Sequence, residues 1–336
     1  MLQFTIGVSR FVYRTSRSRV PAKSEFFEES LEKDGTALFR RNGEEAEAPN
    51  AGLPNVVRFG TRAATLPTLL QILPRDHAAA VELRPVAEYL RSVRYYPLLQ
   101  GFQEHLTGLQ QRAFLGDSGM NSSPIIEVAK YEAWKAELEL GRASRSVPLR
   151  LLHLAITDKP RFEELKTLVG EDGLGLLSEI RLDEVRLRTG LPRDKANDAI
   201  EPAYALSFMP GPGLAGAGRW FRFSGLSAGT WRILQLLTYL VFDANSCMLL
   251  EQPEDSIHPS LLAKVIGILR TYSGRTQRIC TTHSPRVMNL VGPTGIRFVT
   301  ASDGCTSVSE MSDMNLSAAK AYLEDEGTLS EFLETL

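Results

Sequence analysis

The residues best suited to chemistry lie between Phe223 and Pro285. Ser227-Ala228-Gly229-Thr230 form a small-residue turn ahead of a long apolar run. A helix starting there exposes first-turn N–H groups and the positive end of its dipole, both of which favour phosphate. Ala228 and Gly229 leave room for close approach. Glu251 ends a short apolar run, Cys247 to Leu250. That places its carboxylate at the C-terminal end of a buried strand, the crevice where open α/β sheets bind ligands. Gln252 follows, with a carboxylate's shape and hydrogen-bonding reach but no accessible pKa for accepting a proton. Glu254, Asp255 and Ser256 come next. A second run, Arg278 to Thr282, ends in His283-Ser284-Pro285, where an imidazole can donate to a phosphate oxygen. Each feature alone has a plainer explanation: a serine N-cap on a glycine turn, or a polar histidine closing a strand. Their order decides for chemistry.

These residues need specific elements to bring them together. The apolar run that follows the Leu226–Thr230 turn reads as a helix, and His258-Pro259 opens a second, amphipathic one with proline at its first position. The sequence of elements is turn, helix, strand, acid, helix, strand, histidine. That is a nucleotide-handling half of a parallel α/β sheet.

In order and residue type this stretch resembles the C-terminal half of an ABC-type ATPase, of the RecF/SMC-like "AAA family ATPase" branch. Leu226–Thr230 resembles the signature loop, Met248–Gln252 the Walker B strand, Pro253–Pro259 the D-loop region, and His283 the switch histidine. The resemblance implies ATP and Mg²⁺ as cofactors. It makes Ser227, Ala228, Gly229 and Thr230 a loop that closes in trans on the γ-phosphate held by a partner's P-loop. Glu251 becomes the acid that holds Mg²⁺ through water, and Gln252 and His283 take the catalytic positions. Gln252 stands where the family has a water-polarising glutamate. Glu254, Asp255 and Ser256 would face the partner subunit. An ABC transporter subunit fits less well, since its signature is richer in glycine and its D-loop differs from Pro253–Pro259.

The remainder of the chain supports the same family. Leu2–Val8 and Phe11–Arg14 alternate as strands do, Phe26–Leu31 is a third short run, and Ala37–Arg41 leads into the hairpin dipeptide Asn42-Gly43. This antiparallel meander resembles the β-subdomain that follows the Walker A helix in the RecF-like branch. Residues 44–53 read as a polar loop. From Leu66 to about Thr189 the spacing predicts helices: Leu66–Leu73, Val81–Val93 interrupted at Pro85, Gly101–Phe114, Ile125–Leu140, Pro148–Ile156, Arg161–Val169 and the charge-alternating Leu174–Arg188. Asp117–Asn121, after Tyr95-Tyr96-Pro97, resembles a further family segment. Tyr204–Phe208 and Arg219–Phe223 read as strands. Between them Gly211–Gly218 contains a literal G-x-G-x-x-G, but it carries a proline and leads into a strand, which excludes a dinucleotide site. Gly295–Val299 and Cys305–Ser309 pair around Asp303-Gly304, Asn315–Leu323 and Thr328–Leu336 close the chain as helices, and Thr328 with Glu331 forms a capping box.

The expected fold is therefore α/β: an incomplete ABC-ATPase-like core with a helical lobe inserted. Residues 1–60 form an antiparallel β-subdomain, 61–200 the helical lobe, and 201–336 a parallel α/β lobe carrying the motifs. The core is incomplete because no Gly-x-x-x-x-Gly-Lys-Ser/Thr occurs, and the chain is expected to begin after the P-loop's position. Either an ATPase's P-loop segment lies outside this chain, or the chain is a non-hydrolysing subunit lending its signature turn to a partner and otherwise acting as scaffold. Both readings require a second chain: a homodimer or a P-loop-bearing partner, with an effector nuclease as a further partner implied by the family. The family setting is DNA repair or defence against foreign DNA.

Bulk properties limit the alternatives. A net charge of −2 gives no global attraction to nucleic acid or anionic membrane, leaving Arg10–Arg19 and Arg142–Arg150 as local basic stretches for DNA. The three cysteines have no metal-ligand spacing and read as core residues in a reducing compartment. No apolar run reaches membrane-spanning length and no signal peptide precedes the first strand, so a cytoplasmic location is expected. His77, His105 and His153 are isolated and receive no role; His258 reads as structural.

Overall fold

A computed structural model describes residues 2–6, 8–20, 24–48, 57–58, 64–96, 98, 125–188, 200–243, 247–274, 276–302, 305–324 and 327–335. The chain forms two compact units, Met1–Arg94 and Tyr95–Leu336. Asp117–Asn121, His105, the expected helix Gly101–Phe114, Pro97 and the turn residues Asp303-Gly304 lie outside the described residues.

The first unit is the anticipated antiparallel meander. Strands β1 (Leu2–Ile6), β2 (Ser9–Val20), β3 (Ser24–Lys33), β4 (Thr36–Asn42), β5 (Glu45–Glu47) and β6 (Val57–Arg58) are ordered as in the chain. Asn42 pairs with Glu45, closing the Asn42-Gly43 hairpin. Helices α1 (Thr65–Ile72) and α2 (Ala78–Ser92) cover one face, packing Leu66, Leu69, Leu83 and Val86 against Phe11, Leu31 and Phe39. A buried glutamate joins sheet to helix: Glu29 accepts from the Thr65 N–H at 2.7 Å, the Leu66 N–H at 3.5 Å and the Tyr13 hydroxyl at 2.8 Å. Ala64, the N-cap of α1, has no side chain to cap with, so a strand carboxylate takes that function. Pro85 does not interrupt α2, which runs through it. The buried row Ala80, Leu83, Val86 and Ala87 outweighs the one hydrogen bond that proline removes.

The second unit is mixed α/β. Its strands are β7 (Val93–Tyr96, of which Tyr95 and Tyr96 belong to this unit), β8 (Ile125–Glu127), β9 (Leu177–Arg188), β10 (Ile200–Pro210), β11 (Cys247–Glu251), β12 (Gln277–Thr281), β13 (Phe298–Ser302) and β14 (Cys305–Ser309). They form three sheets, ordered β8-β10-β9, β12-β11-β7 and β13-β14. Between them run α3 (Val128–Glu139), α4 (Val147–Thr157), α5 (Lys159–Val169), α6 (Ala228–Phe242), α7 (Pro259–Thr271), α8 (Pro285–Val291), α9 (Asp313–Glu324) and α10 (Leu329–Glu334). Helix α6 is the axis of the core: Trp231 through Val241 are all buried, mostly apolar side chains with Arg232, Gln235 and Thr238 among them. The capping box on α10 is present, with Thr328 accepting from the Glu331 N–H and Glu331 accepting from the Thr328 N–H.

Three local expectations are corrected. Leu177–Arg188 is a strand, antiparallel to β10 with Leu182 opposite Leu206 and Ile180 opposite Phe208. Its apolar residues alternate at short range (Ile180, Leu182, then Val185, Leu187), and pairing with a distant segment decided between that alternation and the helical reading of its charges. Ile125–Glu127 is likewise a strand, pairing with Ala203–Ala205 before α3 begins. Arg219–Phe223 is not a strand; only Phe221 bridges to Phe208. The G-x-G-x-x-G segment before it is a series of turns, and a Cβ at Gly216 would collide with the Phe221 ring. Close packing on an aromatic ring and a φ of +85° account for a glycine there.

Candidate functional site

Helix α6 begins as its sequence dictates. Ser227 is the N-cap, its Oγ accepting from the Thr230 N–H at 3.1 Å and lying 2.9 Å from the Thr230 hydroxyl. Ser227 and Ala228 are exposed, while Gly229 and Thr230 are partly covered. Gly229 lies under the carbonyl oxygen of Ser256, and a Cβ there would collide with it. The signature-like turn is thus packed directly on the Pro253–Pro259 turn. That is a physical reason for glycine that the turn's own geometry does not reveal.

Strands β11 and β12 are parallel, with Glu251 opposite Thr281. The ladder continues one bond further, from the Gln252 N–H to the Thr281 carbonyl at 2.9 Å. The backbone then turns sharply. Gln252 and Ser256 both adopt left-handed conformations, with φ of +42° and +60°, values that residues with a Cβ rarely take. Hydrogen bonds from the Asp255 N–H to the Gln252 carbonyl (3.1 Å) and from the Ile257 N–H to the Glu254 carbonyl (3.1 Å) close the turn.

Arg232, which the sequence reading passed over, locks this turn. Its side chain is 4% exposed. Nη2 donates to the carbonyls of Gln252 (2.6 Å) and Glu251 (3.3 Å), and Nη1 to that of Leu98 (2.6 Å). Asp255 lies 3.8 Å away. Burial lowers the guanidinium's pKa, against the opposing pull of Asp255, Glu254 and Glu251. The available signal was a lone arginine inside an otherwise apolar helix, since a buried arginine has to be paired.

The histidine end joins the same turn. Thr282 donates its hydroxyl to Glu254 and accepts from the Ser284 N–H at 2.9 Å. This fixes the backbone on both sides of His283, which is exposed. His258 caps α7, its Nδ1 accepting from the Ser260 N–H at 3.3 Å, in line with a structural part. His153 sits among aromatic rings, 3.0 Å from the Tyr131 hydroxyl, and burial lowers its pKa. Cys280 pairs with Leu250 in the ladder, and burial, reinforced by Glu254, pushes its thiol up to about 11. That agrees with a core residue.

Glu251 is exposed and accepts from the Tyr95 hydroxyl at 2.6 Å. Tyr95 is firmly based. Its neighbour Tyr96 is buried, donates to Asp243 at 2.7 Å and packs on Tyr239 with ring centroids 4.7 Å apart. Asp243 also pairs with Arg150, and Arg145 donates to the Tyr95 carbonyl while lying 5.2 Å from the Tyr96 ring.

The structure therefore gathers the sequence candidates around one turn. Ser227–Thr230 touch it at Ser256, Glu251 and Gln252 enter it, Glu254–Ser256 form it, and the His283 segment is tied to it through Glu254. Chemically, it offers a helix N-terminus for an anion, an exposed carboxylate and an exposed imidazole. Among the described residues no three His, Cys, Asp or Glu side chains cluster as a metal site. A single oxygen donor such as Glu251 suits Mg²⁺, which keeps most of its waters and takes its other ligands from phosphate. It would not suit a metal that needs a full protein cage.

Residues 175–289 match the model of a family described as "AAA domain, putative AbiEii toxin, Type IV TA system". Over that third of the chain the sequence is similar to an AAA-type ATPase domain. No curated protein matches. Similar solved structures include an Smc head bound to the C-terminal winged-helix domain of ScpA, at 13% identity, covering 92% of this chain and 76% of that one, with a TM-score of 0.38. A Pyrococcus furiosus Smc head with an extended coiled coil, bound to the C-terminal domain of ScpA, is 15% identical, with 90% and 75% covered and a TM-score of 0.33. A chain from work on ATP-driven dimerisation and DNA-stimulated activation of SMC ATPases is 18% identical, with 49% and 91% covered and a TM-score of 0.31.

Proposed function

We propose that the second unit is the acid-and-switch half of an ABC-type, RecF/SMC-like ATP-handling module. The P-loop would come from outside these residues, by another segment or subunit, within a dimer or larger assembly. One observation carries the reading: a single turn, held by Arg232, unites the helix N-terminus at Ser227–Thr230, the carboxylate of Glu251 and the segment bearing His283. The family match over residues 175–289 supports it independently.

In this reading ATP and Mg²⁺ are the cofactors, and Mg²⁺ neutralises charge on the phosphates when bound. Glu251 holds the hydrated cation. Ser227–Thr230 present N–H groups and a helix dipole to the γ-phosphate bound on the partner. His283 donates to the same phosphate. Glu254, Asp255 and Ser256 stand at the subunit seam. Gln252 orients the attacking water through its amide but cannot take its proton, so binding outlasts hydrolysis. No strand among the described residues pairs with the outer edge of β12, and Ile279 on that strand is 44% exposed. An open edge of this kind favours a covering strand from elsewhere. DNA repair or defence against foreign DNA, beside an effector nuclease, is the setting the family resemblance suggests. A homodimer and a P-loop-bearing partner are the two assemblies it allows.

A second reading draws on Gln252 itself: a non-catalytic scaffold or regulatory subunit that lends Ser227–Thr230 to a partner's nucleotide. The two share one expectation. The purified chain alone shows no steady ATP turnover in a phosphate-release assay, because most triphosphate contacts come from a P-loop motif this sequence lacks. Turnover abolished by Glu251→Ala would overturn that expectation. A co-purifying P-loop-bearing subunit whose ATPase falls on Glu251→Ala would favour the first reading over the second.

A further inference from the structure

Tyr95 is the residue at this site that neither the motifs nor the family match (residues 175–289) accounts for. Three features make it a fixed element. First, it lies in β7 (Val93–Tyr96), one residue from the end of the strand that flanks β11. Second, successive strand residues face opposite ways, so with Tyr96 buried against Tyr239 and Asp243, Tyr95 is directed outward. Third, its carbonyl is held by Arg145. The phenol reaches Glu251 with a 2.6 Å bond to Oε2.

A neutral donor on one carboxylate oxygen fixes the rotamer and leaves the other oxygen for a ligand. Carboxylates that bind metal are generally held in this way, and loss of the outer partner weakens metal binding about 10–100-fold. The Tyr95 hydroxyl is a neutral donor with no charge to compete for the cation. The alternative, a phenol that plugs the site, would need Tyr95 to occupy both oxygens or bury them. Glu251 is exposed, and Tyr95 bonds to Oε2 alone.

We propose that Tyr95 is a positioning residue for the divalent-cation site, holding Glu251 in the orientation that accepts a hydrated Mg²⁺. This rests on the reading of Glu251 as the cation's carboxylate.

The test is Mn²⁺ binding by the full chain in the P-loop-complemented assembly loaded with a non-hydrolysable ATP analogue, followed through the electron paramagnetic resonance signal of the bound ion, for wild type, Tyr95→Phe and Glu251→Gln. The expected result is a site in wild type, its loss in Glu251→Gln, and about 10–100-fold weaker binding in Tyr95→Phe with an unchanged thermal melt. Unchanged or tighter binding by Tyr95→Phe, with Glu251→Gln still inactive, overturns the role of Tyr95 alone. No site in wild type, or an unaffected Glu251→Gln, overturns the reading of Glu251 and this inference with it. Should Tyr95→Phe melt early, ring-labelled tyrosine in the wild-type chain decides. Mn²⁺ must then broaden Tyr95 before tyrosines remote from β11, and Glu251→Gln must abolish the effect; uniform broadening overturns the proposal.

Discussion

At the scale of single residues, Arg232 and Gln252 do most to define the site. Arg232 satisfies three carbonyls that converge from Leu98, Glu251 and Gln252. Removing it leaves the buried Leu98 bond and the part-buried bonds to Glu251 and Gln252 unmade, at about 1–3 kcal/mol for an acceptor that water does not reach. Arg232→Leu should therefore destabilise the chain by roughly 1–3 kcal/mol, seen as a lower denaturation midpoint. Arg232→Lys should recover little, because an ammonium cannot reproduce the planar fork that spans these acceptors. Equal stability of all three proteins would show that water replaces the guanidinium. Gln252 makes a different prediction. Its left-handed backbone is held by Arg232 and by the Asp255 N–H, and those bonds do not involve the side-chain amide. Gln252→Glu should thus fold normally. On the proposed function it also supplies the missing proton acceptor, so phosphate release by the P-loop-complemented assembly should rise by roughly 100-fold or more. An unchanged rate would remove this position from the chemistry.

At the scale of elements, helices here start where an acceptor meets their first N–H groups, whether a local cap or a distant side chain. Helix α6 has a serine cap that anyone reading the sequence would choose. Helix α1 has none, and Glu29 reaches from β3 to accept from its first N–H groups. Glu29→Ala should cost about 1–3 kcal/mol by stranding those donors and the Tyr13 hydroxyl. Glu29→Gln should cost less, since the amide oxygen still accepts. Thermal melts of the two variants check the order, and a reversed order would mean that an amide NH2 facing these donors costs more than the loss of the whole side chain. The long β9/β10 pair shows the converse case. Its twelve-residue strand, Leu177–Arg188, is read as helix from charge alone and becomes strand only because β10 arrives beside it.

At the scale of the whole molecule, the packing of Gly229 on Ser256 makes the signature-like turn and the D-loop-like turn one body. A partner that engages one must feel the other. On the proposed function, Ser227→Arg should block closure over a partner's nucleotide. ATP-dependent association with the P-loop-bearing assembly, followed by light scattering after size exclusion, should then be lost. The chain itself should lose only about 1 kcal/mol, the worth of its N-cap. Association that persists in Ser227→Arg would place the contact elsewhere. Among the described residues no helix is long and apolar enough to cross a membrane.

Local chemistry made much of this legible in the sequence. The meander follows from alternation and the Asn42-Gly43 turn, the α6 start from Ser227, the α10 cap from Thr328 and Glu331, and the strand-end positions of Glu251 and His283 from short apolar runs that stop at polar residues. These are signals within a few residues, where propensity and hydrogen bonding act. What only tertiary structure decided depends on groups far apart in the chain: Leu177–Arg188 as a strand, Gly229 as a contact, Arg232 as the lock on the Glu251–Gln252 turn, and Tyr95 as the donor to Glu251. Spacing along the chain carries no record of them, because a hydrogen bond between residues 95 and 251 is a property of distance in space. The candidate stretch is legible in the order of its motifs, and the residues that hold those motifs in place are not.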